Sequence, residues 1–213
     1  PLSYRAGIIL VLLAGLCWSS MGIGIRSIEQ ANVWQILFFR SLAMSIFLFV
    51  LISLRSRMRP LQTIRKSGVA GVIGGVCLVL AFSGGIYSVQ TTTVANAMFL
   101  FASAPFLTAV LGMLLLNEPV RRSTWFSIVV AMIGIVIMVM QGIAAGHLAG
   151  NLAALGASLG FSVFTIALRW KKLNDMLPTI FLAGLFAMVT AAIIAQAQGF
   201  TLVPSTHDIA VAA

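Results

Sequence analysis

Residues 67–117, SGVAGVIGGVCLVLAFSGGIYSVQTTTVANAMFLFASAPFLTAVLGMLLLN, run for 51 positions between Lys66 and Glu118 without one charged side chain. A helix needs about 20 residues to cross the hydrocarbon of a bilayer, so this run holds two spans back to back. The flanks repeat the pattern: 20 uncharged residues separate Arg5 from Arg26, 46 separate Arg122 from Arg169, and 32 separate Asp175 from Asp208. These runs hold one, two and one further spans, and a seventh crosses Arg40, because Trp34 to Leu54 is otherwise apolar. The expected spans are Ala6–Arg26, Trp34–Arg55, Ser67–Val89, Thr91–Leu116, Thr124–Met140, Asn151–Trp170 and Pro178–Gln196. The fold class is therefore an all-α polytopic membrane protein.

Across all 213 residues, 61% are hydrophobic and 8% charged, too apolar for a surface in water. Soluble enzymes, coiled coils and secreted disulfide scaffolds are excluded. An outer-membrane barrel is excluded too, since its strands alternate polar and apolar residues and these runs do not. Cys17 and Cys77 both fall inside spans, too far apart for a metal motif or a bridge. His147 and His207 lie in loops with no acidic or cysteine cluster near them in sequence, so nothing resembles a catalytic or metal set. The expectation is a protein that is not an enzyme and needs no cofactor.

The net charge of +9 would suit nucleic acid, but the basic residues are segregated by loop. Arg5 precedes the first span; Arg55, Arg57, Arg59, Arg65 and Lys66 fill the second loop; Arg121 and Arg122 lie in the fourth; Arg169, Lys171 and Lys172 lie in the sixth. Loops between them carry almost nothing basic beyond Arg26. This is the positive-inside pattern, which puts the N-terminus and the even loops in the cytoplasm of a multi-pass protein, expected in a bacterial inner membrane. The basic loops face anionic lipid, so the lipid bilayer is a partner and nucleic acid is not. Tyr4, Trp34, Trp125 and Trp170 fall at span ends, where an amphipathic ring prefers the headgroup level.

An internal repeat organises the spans. Shifting the chain by 143 places Ala6, Gly7, Leu12, Ala14, Leu16, Ser19, Ile23 and Arg26 on identical residues from Ala149 to Arg169, 8 identities in 21 positions without a gap. The next span stays in register, with Phe38 and Leu42 on Phe181 and Leu185. Residues 1–142 then form one repeat of five spans, and residues 143–213 begin a second. Five is odd, so the second repeat enters the membrane from the opposite side and the two are inverted. Inverted repeats are an architecture of secondary transporters, whose equivalent halves exchange inward-open and outward-open shapes around a mid-membrane site. Such a protein has ten spans, so the chain is expected to continue past Ala213 for roughly 70 to 90 residues at about 20 per span plus loops.

Residues 87–134, YSVQTTTVANAMFLFASAPFLTAVLGMLLLNEPVRRSTWFSIVVAMIG, resemble the end of an EamA domain, the repeat unit of the drug/metabolite transporter superfamily. The likeness rests on the small-residue fourth span, Pro105 within it, Glu118 just beyond it, and a fifth span opening near Trp125 and carrying Gly134. The first span, with Trp18 and Ser19, and the second, with Arg40, are also similar. The resemblance implies a ten-helix carrier for a small organic metabolite or drug working by alternating access. The competing reading is a polytopic protein with a structural or lipid-handling role and no solute flux.

Arg40 is the strongest candidate for contact with a small-molecule substrate. It lies about 9 Å past the start of its span at 1.5 Å per residue, where a cation costs at least about 2.5 kcal/mol near the centre of a lone helix. Such a residue faces a cavity or snorkels to the interface, and as a handle it would take a carboxylate or phosphate. No Asp or Glu lies within a span to pair with it. Trp18, and Phe161 at the repeat-equivalent position, offer aromatic faces to a substrate. Asn96, Ser19, Ser103 and Ser162 offer hydrogen bonds, or else bond across helices or to their own backbones. For gating the candidates are Pro105, which frees a carbonyl and kinks its span, and Glu118, set near Arg121 and Arg122 at a helix end. Gly71 with Gly75, and Gly156 with Gly160, are expected to let helices approach closely.

Overall fold

The computed structural model describes residues 7–17, 32–56, 60–144, 146–172 and 175–199, and every regular element among them is an α-helix. The helices are α1 Gly7–Cys17, α2 Val33–Arg55, α3 Pro60–Lys66, α4 Gly68–Thr91, α5 Val94–Phe101, α6 Ala104–Leu116, α7 Arg122–Ala144, α8 Leu148–Trp170 and α9 Leu177–Ala197. Six spans among the described residues are long and apolar enough to cross a membrane, with α5 and α6 together forming one of 23 residues. The protein is thus an all-α polytopic membrane protein, as its uncharged runs require. Of the expected first span only α1 is described; Trp18 and Ser19 lie outside the described residues. The fourth span is two helices rather than one, and the second loop contains the short basic α3.

Local chemistry sets where the helices begin and end. Asn32 caps α2, its Oδ1 accepting from the backbone N–H groups of Trp34 and Gln35, while Gln35 Oε1 accepts from Asn32 N–H at 2.9 Å. This reciprocal capping box satisfies donors that the first helical turn leaves open. Thr93 caps α5 by accepting from Asn96 N–H, and Asp175 accepts from Leu177 N–H ahead of α9. At the end of α6, Asn117 turns left-handed with φ 53°, and Glu118 N–H bonds back to the Gly112 carbonyl. Pro119 follows, where a helix cannot continue.

The packing is centred on α4, which runs antiparallel to α8 and α2 and parallel to α9. Glycine makes the α4–α8 pair close. A methyl group on Gly84 of α4 would sit 2.8 Å from the Ala153 carbonyl oxygen, and one on Gly160 of α8 would sit 2.6 Å from the Cys77 carbonyl oxygen. Each helix therefore presses its backbone into the other at a residue that lacks Cβ. On its α9 side, α4 sets Gly74 against Thr179 and Gly75 against Phe186 and Ala183. Ile36 and Leu37 of α2, Ile86 and Val89 of α4, Ala97 of α5, and Ala187 and Ala191 of α9 form one buried cluster. Leu48 and Ile52 pack with Phe181 in another.

The α2–α9 pair is antiparallel: Phe49 lies over Phe181, Ser45 meets Gly184, and Ile36 sits in the cluster with Ala191. Ser41 and Gly184 are separated by 143 positions, and a methyl on Gly184 would lie 3.4 Å from the Ser41 carbonyl oxygen.

By contrast α7 is nearly bare, with Phe126, Val129, Ile133 and Ile137 exposed, and it packs mainly on α8. The side chains of α1 from Ile8 to Leu13 are exposed as well. In a bilayer such faces meet acyl chains at no cost in solvation.

Candidate functional site

Toward the end of the bundle where α2, α5 and α8 begin and α4 finishes, these four helices enclose a small cavity. Arg40 enters from α2; Ala81, Phe82, Gly85, Ser88 and Val89 come from α4; Ala97, Met98 and Phe101 from α5; Ala154 and Phe161 from α8. The small residues make the space and the rings give it walls. Its volume is about 40 Å³, room for water but not for an organic solute. A wider groove of about 590 Å³ on the other side of the α4–α8 pair, bordered by Trp34, Ser83, Tyr87 and Gln198, is open and has no charged residue in its lining.

Arg40 turns toward the cavity and does not snorkel out. Its guanidinium carbon stands 4.6 Å from the centroid of the Phe82 ring, a cation–π contact. Among the described residues no carboxylate pairs with it, the ion pair present being Arg169 with Glu118. Ser88, which shares the cavity wall, is 1% exposed, and its Oγ has no hydrogen-bond partner among the described residues. Phe161 stacks at a tilt on Phe101, ring centroids 5.7 Å apart, and continues to Phe164 at 5.8 Å.

Of the expected contacts, Arg40 and Phe161 meet at this cavity. Ser103 and Ser162 do not line it; they build a seam between α8 and the fourth span. Ser103 Oγ donates to the Leu100 carbonyl at 2.7 Å and shares a 2.7 Å hydrogen bond with Ser158 Oγ. Ser162 Oγ bonds to the Ala104 and Ser158 carbonyls. This seam crosses the α5–α6 break, where Pro105 sits in the first turn of α6. Asn96 lies at the first turn of α5, half-buried and outside the cavity lining.

Three contacts close the seam at its two ends. At one, Thr92 Oγ1 donates to Asn151 Oδ1 at 3.0 Å, both side chains buried, while His147 Nδ1 lies 3.1 Å from the Thr91 carbonyl oxygen. At the other, Glu118 takes Arg169 rather than Arg121 or Arg122, with Oε2 2.6 Å from Arg169 Nη2. Sequence position put the nearest charges first, but the parallel run of α6 and α8 brings Arg169 across. Of the lining residues, the sequence pointed only to Arg40 and Phe161; Phe82, Ser88 and Phe101 are among the nine it did not. Their signal was a face of α4 with Phe82, Gly85 and Val89 at helical spacing, legible only once α4 was known to be surrounded.

The described residues thus form a bundle of membrane-length helices with a break in one span and, on an internal cavity, a cation that no described carboxylate pairs. The sequence places it further. The model of the EamA-like transporter family matches residues 5–140, and the chain belongs to that family. A Vibrio cholerae serotype O1 protein named as an uncharacterized transporter is 30% identical over 197 residues, covering 89% of this chain and 62% of that protein. Two Helicobacter pylori proteins, also named uncharacterized transporters, are 26% and 25% identical over 136 residues, 62% of this chain and 44% of each of theirs. The chain thus spans about three-fifths of the first relative's length and less than half of the others'. No solved structure gives a significant match.

Proposed function

We propose that this protein is a secondary carrier that moves a small organic metabolite or drug across the membrane by alternating access, with the Arg40 cavity as its substrate site. The observation that carries the reading is that cavity: a cation held within a span, open to internal space and matched by no described carboxylate. A cation there costs stability that an inert bundle would have no reason to bear.

The carrier is built on inverted repeats, residues 1–142 and the part that opens at residue 143. The meeting of Ser41 with Gly184 supports this, because equivalent residues touch where an in-plane axis crosses. The N-terminus is cytoplasmic and the membrane is a bacterial inner membrane, as the segregation of basic loops supports. At about 40 Å³ the cavity is in its contracted form, and loading requires α2 to separate from α4, α5 and α8. The Glu118–Arg169 pair and the Thr92–Asn151 bond tie α8 to the fourth span at both ends, so these elements move as one body. Glu118 and Pro105 act here by holding that body together. Trp18 and Ser19 belong to the same reading as further contacts from the first span, and Asn96, Ser103 and Ser162 as polar support around the site.

Purified full-length protein in proteoliposomes should give a saturable solute flux, and Arg40→Ala should abolish it while the protein still inserts. Flux no greater than in empty vesicles, across a broad panel of metabolites, would favour the structural or lipid-handling alternative.

A further inference from the structure

The lining of the Arg40 cavity restricts which solutes it can hold. Among the described residues its polar side chains are one guanidinium and one hydroxyl, those of Arg40 and Ser88, and every other described lining residue is apolar or glycine. A positively charged solute would find no carboxylate among the described residues of that wall, would be repelled by Arg40, and would find the Phe82 face already occupied by the guanidinium. A phosphate monoester brings a charge of about −1.5 to −2 at pH 7, more than one guanidinium neutralises, and the excess would be stranded against apolar walls. A sugar or other polyol would bring more hydroxyls than the polar groups of the described lining can satisfy, each one left unpaired opposing entry.

One class meets the site without remainder. We infer that the substrate is an amphipathic organic monoanion, a carboxylate with an aromatic or aliphatic body. Its two oxygens take the fork of Arg40, which the contact with Phe82 leaves available for in-plane hydrogen bonds. The unpartnered Ser88 Oγ, buried on the same wall, donates a further hydrogen bond to the anion. Its body lies along Phe101 and Phe161, whose tilted rings form the apolar wall. The inference rests on the carrier reading for its physiological sense, but the binding chemistry stands apart from flux.

The test is a series of near-isosteric probes against the full-length protein in detergent, measured by calorimetry: 3-phenylpropionate, 3-phenylpropylamine, 3-phenylpropan-1-ol and phenyl phosphate. The carboxylate should bind at least about tenfold more tightly than each of the other three, the scale of one charge-assisted hydrogen-bond pair. Arg40→Gln should erase that preference, and Ser88→Ala should weaken the carboxylate by a smaller factor without changing the order. Tighter binding of the amine, the alcohol or the phosphate, no carboxylate binding up to millimolar concentration, or an unchanged preference in Arg40→Gln each overturns the inference. The wild-type series decides by itself if Arg40→Gln fails to insert. Proteoliposome flux separates the two ideas: carboxylate binding without flux removes the carrier and keeps the anion site, whereas flux of amines alone keeps the carrier and removes the anion site.

Discussion

Gly156 and Gly160 stand one turn apart on α8, and their surroundings are opposite. A methyl on Gly160 would meet the Cys77 carbonyl oxygen at 2.6 Å and the Ala81 nitrogen at 3.1 Å, both backbone atoms of α4, whereas one on Gly156 would meet nothing within 4 Å. Gly160→Ala must therefore push α8 away from α4 and should lower stability by about 1–3 kcal/mol, as overpacking does. Gly156→Ala should be neutral or slightly stabilising, since alanine restricts the unfolded chain and favours helix. Thermal unfolding in detergent checks the pair, and equal losses in both would mean that α4 and α8 are not in this contact. Sequence spacing nominated the two glycines alike, because a period of one turn says which residues share a face but not which neighbour the face meets. The same limit applied to Arg40, whose depth was legible while its direction, toward Phe82, was not. Arg40→Lys keeps the charge and loses the forked geometry, so uptake by that variant should fall well below wild type. Normal flux in Arg40→Lys and Arg40→Ala together would remove the residue from the site.

The broken fourth span shows the next scale. Pro105 announced an interruption, and the chain delivers one: α5 ends at Phe101 and α6 starts at Ala104. What proline could not reveal is how the break is held, by Ser103, Ser158 and Ser162 from two helices 55 and 58 residues apart in their pairings. Asn151 escaped notice for a related reason, since it stood at the expected edge of a span and turned out to be fully buried against Thr92. Hydrogen bonds between membrane helices average about 0.6 kcal/mol, so a double-mutant cycle of Ser103→Ala and Ser158→Ala should give a coupling near that size. A coupling indistinguishable from zero would show that the break does not depend on the seam. The Glu118–Arg169 pair has side chains 37% and 47% exposed, and its removal should cost at most about 1 kcal/mol. Glu118→Gln should accordingly leave unfolding almost unchanged while altering transport rate, and a large loss of folded protein would assign the pair to stability instead.

For the molecule as a whole, six of the seven expected crossings and their approximate limits were legible, because uncharged length is a direct consequence of bilayer thickness. Which helices touch was not, since every apolar face looks alike to a lipid. Orientation can be measured. With Cys17 and Cys77 replaced, a cysteine at His147 should react with an impermeant thiol reagent on intact cells and one at Lys171 should not; the reverse would invert the topology. The glycine-lined contact of α4 with α8 carries a consequence for synthesis as well. Gly84 leaves the ribosome about 76 residues before Gly160, a delay of about 4–15 s at 5–20 residues per second. During that interval α4 is inserted but its tightest partner does not exist. A nascent chain stalled just after α7 should thus be resistant to extraction from the membrane yet readily cut by protease in its loops, and it should gain protection abruptly once α8 has been translated.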